Sequence, residues 1–587
     1  MMQDTTNPQL QVINRRLPLV TGGLVIFSIF LLLAIGRLQQ LPPTVRQELE
    51  IRSQNNTRSI KRLPAERGVV YDQSGIPLAF NILQYEIGVS PNLVTEPEKI
   101  AQELGVILNI DESKVYDLIT QDVPWTLIAR PVSAELGQKI IDLNEISIVI
   151  NPLSRRAYPQ GELAGPIIGF TIESNDNTRR GAGGVESTYN AELAGRATDQ
   201  TVSTIPLDIP VDLETQTQRG RDVVLTIDRD IQYWMEYELA QGIERYQAQS
   251  GVIIVMDPRD GSILAMAQNP SFDPNNVAQV ENQSLLRNMA ISDVYEPGSV
   301  MKILTVASAI DSGAISEDWT YNDEGSITVG GVNHVNWDRQ AHGLVDTSGL
   351  LINSLNVGAV TVALEMGPES FYTYLSRFGM GKLTNIDLPG EEVGIMRVPG
   401  DQGWNEADFA SNSYGQAISV TPIQMATAFA AVANDGLMYQ PHVMHQIVDG
   451  EEVRNAQPVP SRVISSETAN IVTNMMVRVI NEGSTLAQVP GYTVAGKTGT
   501  AQISTPLGYE DGGPGTTIAS FIGFFPADAP RVVVYIRLDR PKTNQYGSQT
   551  AAPLFRDVAQ RLAILLGIPD DNTRKVLQSQ GGVINKQ

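Results

Sequence analysis

The sequence predicts an α+β protein: one N-terminal transmembrane helix, an elongated α+β pedestal, then a domain built on a single antiparallel sheet flanked by helices. Three observations carry this expectation. Residues 17–36 run uncharged for 20 positions. An apolar hairpin near residue 255 and three late apolar strands bracket a long, mostly helical stretch, so strands distant in sequence would share one sheet. A length of 587 residues, at ~100–200 residues per domain, calls for several domains.

Residues 1–16 are a cytoplasmic tail in this reading. At ~1.5 Å per residue the 17–36 helix matches a ~30 Å hydrocarbon core. Arg15 and Arg16 precede it, and Arg37, Arg46 and Arg52 follow, so the positive-inside rule is near a tie. Long domains translocate largely regardless of charge, which places residues 37–587 outside.

Residues 37–220 form the pedestal. Its opening is polar, Val69–Gly75 reads as a strand entering a turn, and Tyr85–Val89 as a second strand. Lys99–Leu108 and Glu112–Thr120 carry helical spacing. Asp222–Asp228 is a strand that opens the third region, 221–566, with Asp230 as the N-cap of a helix through Ile243. Val252–Met256 and Ser262–Met266 flank Asp257-Pro258-Arg259-Asp260-Gly261, an antiparallel hairpin signature. Helical patterns at Val300–Ile310 and Thr421–Ala433 follow. The late strands are Thr493–Gln502, Ile518–Phe525 and Val532–Leu538, and a helix from Thr550 to Leu566 closes the domain. The tail 567–587 is polar and reads as loose.

Composition excludes several chemistries. With 42 Lys+Arg against 65 Asp+Glu, a net charge of −23 argues against a nucleic-acid partner. Zero cysteines exclude disulfides, a thiolate nucleophile and Cys-ligated metals. Of four histidines, His442 and His445 share i, i+3 spacing but no carboxylate cluster, and read as structural. Glu391 and Glu392 follow Pro389-Gly390 in a loop and read as solvated or structural rather than as an acid/base pair.

Three short motifs remain. Ser299-Val300-Met301-Lys302 puts a hydroxyl and an amine on one face at a helix start, where free N–H groups suit an oxyanion. A serine needs an adjacent base, and a lysine serves if burial or a neighbouring cation lowers its pKa. Ser354-Leu355-Asn356 is uninformative alone. Lys497-Thr498-Gly499-Thr500 lies within an apolar strand, where Gly499 admits close approach to the backbone. Its N–H groups, lysine and two threonines would suit an extended peptide ending in a carboxylate. The bland alternative is an edge strand guarded by a lysine.

In this order the three motifs resemble the penicillin-binding protein and serine β-lactamase superfamily. Tyr295-Glu296-Pro297-Gly298, Phe378-Gly379-Met380-Gly381, Leu388-Pro389-Gly390-Glu391 and Tyr414-Gly415-Gln416 are similar to stretches of the class B high-molecular-mass penicillin-binding proteins. Arg67-Gly68-Val69-Val70-Tyr71-Asp72 and Gly183-Gly184-Val185-Glu186 resemble their pedestal. The resemblance spans roughly residues 17–566. It implies a peptidoglycan D,D-transpeptidase that cross-links stem peptides, with Ser299 acylated, Lys302 its base and Ser354 a relay to the leaving amine. Asn356 would orient Lys302 and the substrate amide, and Lys497 would support Ser354 and depress the Lys302 pKa. Thr498 and Thr500 would hold the terminal carboxylate beside Gly499, and the N–H groups of Ser299 and Thr500 would form an oxyanion hole.

The resemblance implies no metal or organic cofactor. It implies β-lactams as covalent inhibitors, and as partners a membrane-embedded glycan polymerase of the SEDS type with other divisome or elongasome membrane proteins. The expected address is the bacterial cytoplasmic membrane, single-pass, with the catalytic domain on the outer or periplasmic side. No Glu-x-x-Leu-Asn segment lies between Asn356 and Lys497, so slow hydrolysis and an amine acceptor are expected. No region resembles a fused glycosyltransferase. Ser354-Leu355-Asn356-Val357-Gly358 looks closer to the septal subgroup than to the elongation subgroup, whereas Gly547-Ser548 departs from the Gly-Gly usual there. Two other readings stand beside this one. A β-lactam-binding sensor would need a cytoplasmic module, for which 16 residues leave no room. A non-catalytic scaffold would not need three intact motifs.

Overall fold

The computed structural model describes residues 21–33, 35, 36, 45, 58–63, 65–173, 179–203, 209, 210, 218–505 and 508–579. The predicted tail 1–16, residues 17–20 and 34 of the predicted span, and most of the stalk lie outside them. Residues 21–33 are helical. Among the described residues no helix is long and apolar enough to cross a membrane.

The chain divides into two compact units. The smaller comprises residues 1–64 and 197–217 and carries a three-stranded antiparallel sheet, Arg58–Leu63, Thr198–Ser203 and Ile209–Pro210. The larger comprises residues 65–196 and 218–587.

In the larger unit, the strand Pro77–Val89 pairs with Thr126–Ser133 on one side and Ile148–Ala157 on the other. Helices Pro97–Leu108 and Glu112–Ile119 bury Ile100, Leu104, Val115 and Ile119 against Ile87, Val89 and Ile128. The two pedestal motifs of the sequence meet here. Arg67 Nε donates to Glu186 Oε2 at 2.6 Å, and Arg156 Nε to Glu186 Oε1 at 2.6 Å, with all three residues buried. One carboxylate between two guanidiniums satisfies donors that would otherwise be stranded away from water.

The strand Asp222–Leu225 pairs in parallel with Val70–Tyr71 and antiparallel with Met444–Asp449, so one sheet draws strands from both sides of residue 220. The next helix, Arg229–Tyr246, is capped by Asp228 rather than by Asp230 as predicted. The Asp228 carboxylate accepts from the amides of Asp230 and Ile231, which shifts the helix start by two residues.

The predicted antiparallel sheet has five strands in the order Ile263–Asn269, Ser250–Met256, Val532–Asp539, Thr517–Phe525, Ala495–Gln502. Its central strands are continuous apolar runs because both faces are covered. Arg229–Tyr246 and Ala551–Leu565 pack on one face through Leu239, Leu554, Phe555 and Phe521. The helical region packs on the other, with Met301–Asp311 and Pro422–Ala433 wholly or almost wholly buried. Thr421 and Gln424 form a capping box that starts the latter at the predicted place. The tail differs from expectation. Residues Asp571–Ser579 are helical, and Arg574 is buried in ion pairs with Asp528 and Asp571.

Candidate active site

The helix that follows Ser299 reaches the edge strand because two glycines remove Cβ atoms from the approach. Gly298 has φ 61°, and a Cβ there would sit 2.9 Å from the Thr500 carbonyl oxygen. A Cβ on Gly415 would sit 2.2 Å from the Gly298 carbonyl. Ser299 lies in the tight turn Gly298–Val300 that runs into the helix Met301–Asp311. That helix is apolar on nearly every side, so Lys302, one turn after Ser299, is carried into the interior with 0% exposure.

Four oxygens surround the Lys302 nitrogen: Ser354 O at 2.6 Å, Asn356 Oδ1 at 2.8 Å, Ser299 Oγ at 3.1 Å and Ser354 Oγ at 3.3 Å. Ser354 O and Asn356 Oδ1 are carbonyl oxygens and can only accept. A neutral amine has two N–H bonds to give them, which leaves its lone pair for a hydroxyl proton. Burial, and secondly the charge of Lys497, hold the Lys302 pKa well below the ordinary lysine range. Asn356 is fixed in turn by its own donation from Nδ2 to Val335 O at 2.9 Å. Ser354 adopts φ 56°, an uncommon backbone for a residue with a Cβ, and presents both its carbonyl and its hydroxyl to Lys302.

Lys497 stands on the sheet's edge strand, but it is no surface guard. It is 1% exposed, with Nζ 3.1 Å from Ser354 Oγ and 3.2 Å from Thr498 O. Burial pushes its pKa down to about 7. Along the strand Lys497, Gly499 and Ala501 are buried, while Thr498, Thr500 and Gln502 alternate as half-exposed. The open side of this strand offers unpaired backbone groups to an extended peptide. A Cβ on Gly499 would lie 2.3 Å from Ser520 Oγ and 3.0 Å from Pro297 O, which accounts for a glycine between two threonines.

The structure thus brings Ser299, Lys302, Ser354, Asn356 and Lys497 into one chain of contacts, with Thr498, Gly499 and Thr500 on the adjoining strand. Other contributors carried no legible signal of their role. Gly547 N donates to Thr500 Oγ1 at 3.0 Å. Trp337, 62% exposed, donates from Nε1 to Asn353 O at 2.9 Å and stands edge-on to Tyr546 across 6.4 Å. His334 Nδ1 lies 2.8 Å from the Tyr414 hydroxyl, one residue before Val335 on the strand Val332–Val335 that holds the Asn356 amide. These contacts join residues 16 to 209 positions apart, so no local pattern shows the contacts themselves. Glu391 accepts from the amides of Thr384 and Asn385 at 2.6 and 3.0 Å, a loop-fixing role. His442 Nε2 lies 3.3 Å from Ser262 Oγ.

Comparison with known proteins gives consistent matches. A family described as the penicillin-binding protein transpeptidase domain matches residues 251–560, and the penicillin-binding protein dimerisation domain matches residues 62–225. The chain is 34% identical over 520 residues to stage V sporulation protein D of Bacillus subtilis, covering 86% of this chain and 79% of that protein. It is 28% identical over 568 residues to the peptidoglycan D,D-transpeptidase FtsI of Buchnera aphidicola, covering 94% and 96%. The crystal structure of penicillin-binding protein 3 from Mycobacterium tuberculosis complexed with aztreonam superposes with a TM-score of 0.68 at 30% identity, covering 87% of this chain and 98% of that one.

Proposed function

The chain belongs to the class B high-molecular-mass penicillin-binding proteins, and from that premise we propose that its acyl transfer runs through Ser299 and Lys302. The protein is a peptidoglycan D,D-transpeptidase of cell-wall synthesis. The observation that carries the serine mechanism is the Lys302 nitrogen 3.1 Å from Ser299 Oγ, with its N–H bonds directed to two carbonyl oxygens.

The steps follow from the geometry. Ser299 Oγ attacks the penultimate carbonyl of a donor stem peptide as Lys302 takes its proton. The backbone N–H groups of Ser299 and Thr500 receive the developing oxyanion. Ser354, between the two lysines, passes a proton to the departing D-alanine. Lys497, Thr498 and Thr500 hold the terminal carboxylate. An amine on a neighbouring stem then attacks the acyl-enzyme, its proton returns along the same path, and Ser299 is freed. A β-lactam enters the same first step and stays.

The proposal extends to location and partners. Leu24, Ile26, Phe27, Phe30 and Leu32 on the helix 21–33 are each more than half exposed, which suits a lipid surroundings better than water. We place residues 17–36 across the cytoplasmic membrane with the catalytic unit outside, next to a membrane-embedded glycan polymerase of the SEDS type and other divisome or elongasome proteins. The similarity to a stage V sporulation protein, together with the Ser354-Leu355-Asn356-Val357-Gly358 stretch, leads us to favour septal work over elongation. Labelling with a fluorescent penicillin tests the core of the reading. Ser299→Ala should abolish the covalent adduct with the melting temperature unchanged, and undiminished labelling sinks it.

A further inference from the structure

His334 stands outside the reacting groups, yet it is the one buried residue of its strand. Val332, Asn333 and Val335 are exposed, whereas His334 is 3% exposed. An imidazole in an inward position is unfavourable unless its polar atoms find partners. Its Nδ1 lies 2.8 Å from the Tyr414 hydroxyl, with the two rings edge-on at 5.9 Å. Its Nε2 is buried without a hydrogen-bond partner among the described residues. Burial lowers the ring's pKa, against a weaker upward pull from the Val329 carbonyl, so the ring is neutral at neutral pH. The bond to Tyr414 is what this histidine contributes.

Each end of that bond holds one half of the active site. On the His334 side, Val335 O accepts from Asn356 Nδ2 at 2.9 Å, and Asn336 Oδ1 accepts from the Val357 amide at 3.1 Å. The strand end therefore fixes the start of the helix Asn356–Met366. On the Tyr414 side, Gly415 O accepts from the Gly298 amide at 2.9 Å, and Ser413 O accepts from Thr305 Oγ1 at 2.7 Å. That turn therefore fixes the residue before Ser299 and the helix after it. Tyr414 is itself seated against Ala359, Val360 and Ala410. Lys302 Nζ bridges the two halves from inside, at 2.8 Å from Asn356 Oδ1 and 3.1 Å from Ser299 Oγ. The contacts close a ring, and His334–Tyr414 is its only link between two side chains outside the reacting groups.

We propose that His334 is a positioning residue for acylation: through Tyr414 it sets the Asn356 oxygen against the Ser299 turn. Lys302 then keeps its N–H bonds on carbonyl oxygens and its lone pair on the Ser299 hydroxyl. The inference rests on the Ser299–Lys302 reading. Without the tie, proton transfer loses its geometry, while the strand Lys497–Thr500 that grips the donor is left as it was.

The test acylates the full-length enzyme with benzylpenicillin over a concentration series, followed by intact mass. The series separates the limiting acylation rate from the concentration that half-saturates it. Tyr414→Phe removes one oxygen, and His334→Phe removes the imidazole's polar atoms. Each should lower the limiting rate about tenfold, as expected for loss of one neutral hydrogen bond, with half-saturation unchanged. The double variant should be no slower than either single one, because both break the same link. His334→Asn, whose amide can stand about where Nδ1 does, should recover most of the rate. A limiting rate that does not move overturns the proposal. So does a loss that appears in half-saturation instead, losses that multiply in the double variant, or an Asn variant as slow as the Phe variant. Should His334→Phe not fold, Tyr414→Phe and His334→Asn decide, with a loss expected only in the first. Wild-type enzyme that is never acylated overturns the Ser299–Lys302 reading itself.

Discussion

Replacing Lys497 by methionine should move the acid limb of acylation to higher pH. The change removes a charge beside Lys302 and keeps a flexible side chain of similar length. Both nitrogens reach Ser354 Oγ, at 3.3 and 3.1 Å, so they lie within about 6.4 Å of each other, where like unit charges repel by roughly 2.6 kcal/mol at an effective dielectric of ~20. That repulsion is worth ~1.9 pKa units. It acts where Lys497 is charged, below its own pKa of about 7. Lys302 accepts a proton only when neutral, so acylation fails as pH drops through its pKa. In the wild type, burial and the Lys497 charge delay that failure to low pH. In Lys497→Met the charge is gone, Lys302 holds its proton to higher pH, and the limb should rise by ~1–2 units.

The assay is the second-order rate constant for benzylpenicillin, followed by intact mass from roughly pH 5 to 9. Loss of the carboxylate contact will also lower the rate, most where Lys497 is charged below about pH 7, but it does not move the pH at which Lys302 takes up its proton. Position and height therefore separate two roles of one residue. A profile lowered with its acid limb in place would refute the electrostatic role and leave Lys497 only a carboxylate ligand.

Four further outcomes follow. Lys302→Arg should lose acylation by ~10³-fold or more, because a guanidinium with a pKa above ~12 has no lone pair to offer near neutrality; intact-mass kinetics read this directly. Gly547→Ala would set a Cβ 2.2 Å from Gly499 O and 2.6 Å from Ser520 O, so it should cost ~1–3 kcal/mol and slow labelling. Ser548→Gly should leave the melting temperature within a degree or so of the wild type, since the close approach belongs to the first residue of that pair. A chain beginning at residue 221 should melt ~5 °C or more below one beginning at 65, measured by calorimetry. It lacks the Val70–Tyr71 strand beside Val223 and Val224 and the Tyr189 hydroxyl that donates to Asp387 at 2.6 Å.

The sequence made legible what is local. The hairpin around Asp257–Gly261, the cap at Thr421 and the three motifs each state their geometry within a few residues. Ser299 and Lys302 share a face because i and i+3 positions do. The site around the Lys302 nitrogen was legible only as a list of members. Its geometry depends on Ser354 turning into a left-handed backbone, and on Val335, 21 residues upstream, fixing the Asn356 amide. Neither follows from propensity, and both are settled by tertiary packing. The Asp230 cap was misplaced for a similar reason, since Asp228 and Asp230 are equally good caps locally and the preceding strand decides between them.

The boundary near residue 220 carries a different lesson about what the pedestal does. A module that holds none of the proposed catalytic residues invites a role in anchoring and positioning alone. Yet the strand Asp222–Leu225 lies between Val70–Tyr71 and Met444–Asp449, making one sheet from a pedestal strand and two regions of the catalytic chain. Asp387 accepts from the pedestal's Tyr189 and also from the amides of Val443 and Met444, so the same carboxylate ties that sheet to the loop before the Tyr414 turn. Asn275 exchanges hydrogen bonds with the backbone of Tyr158 in both directions, at 3.0 and 2.8 Å. Two modules that merely hold a catalytic domain at a distance need no such continuity. A movement of the pedestal strand Val70–Tyr71 must instead be taken up by Asp222–Leu225 and Met444–Asp449, which are part of the catalytic unit's own packing. Support and positioning are therefore one role here, and a substitution at Asp387 should disturb both together.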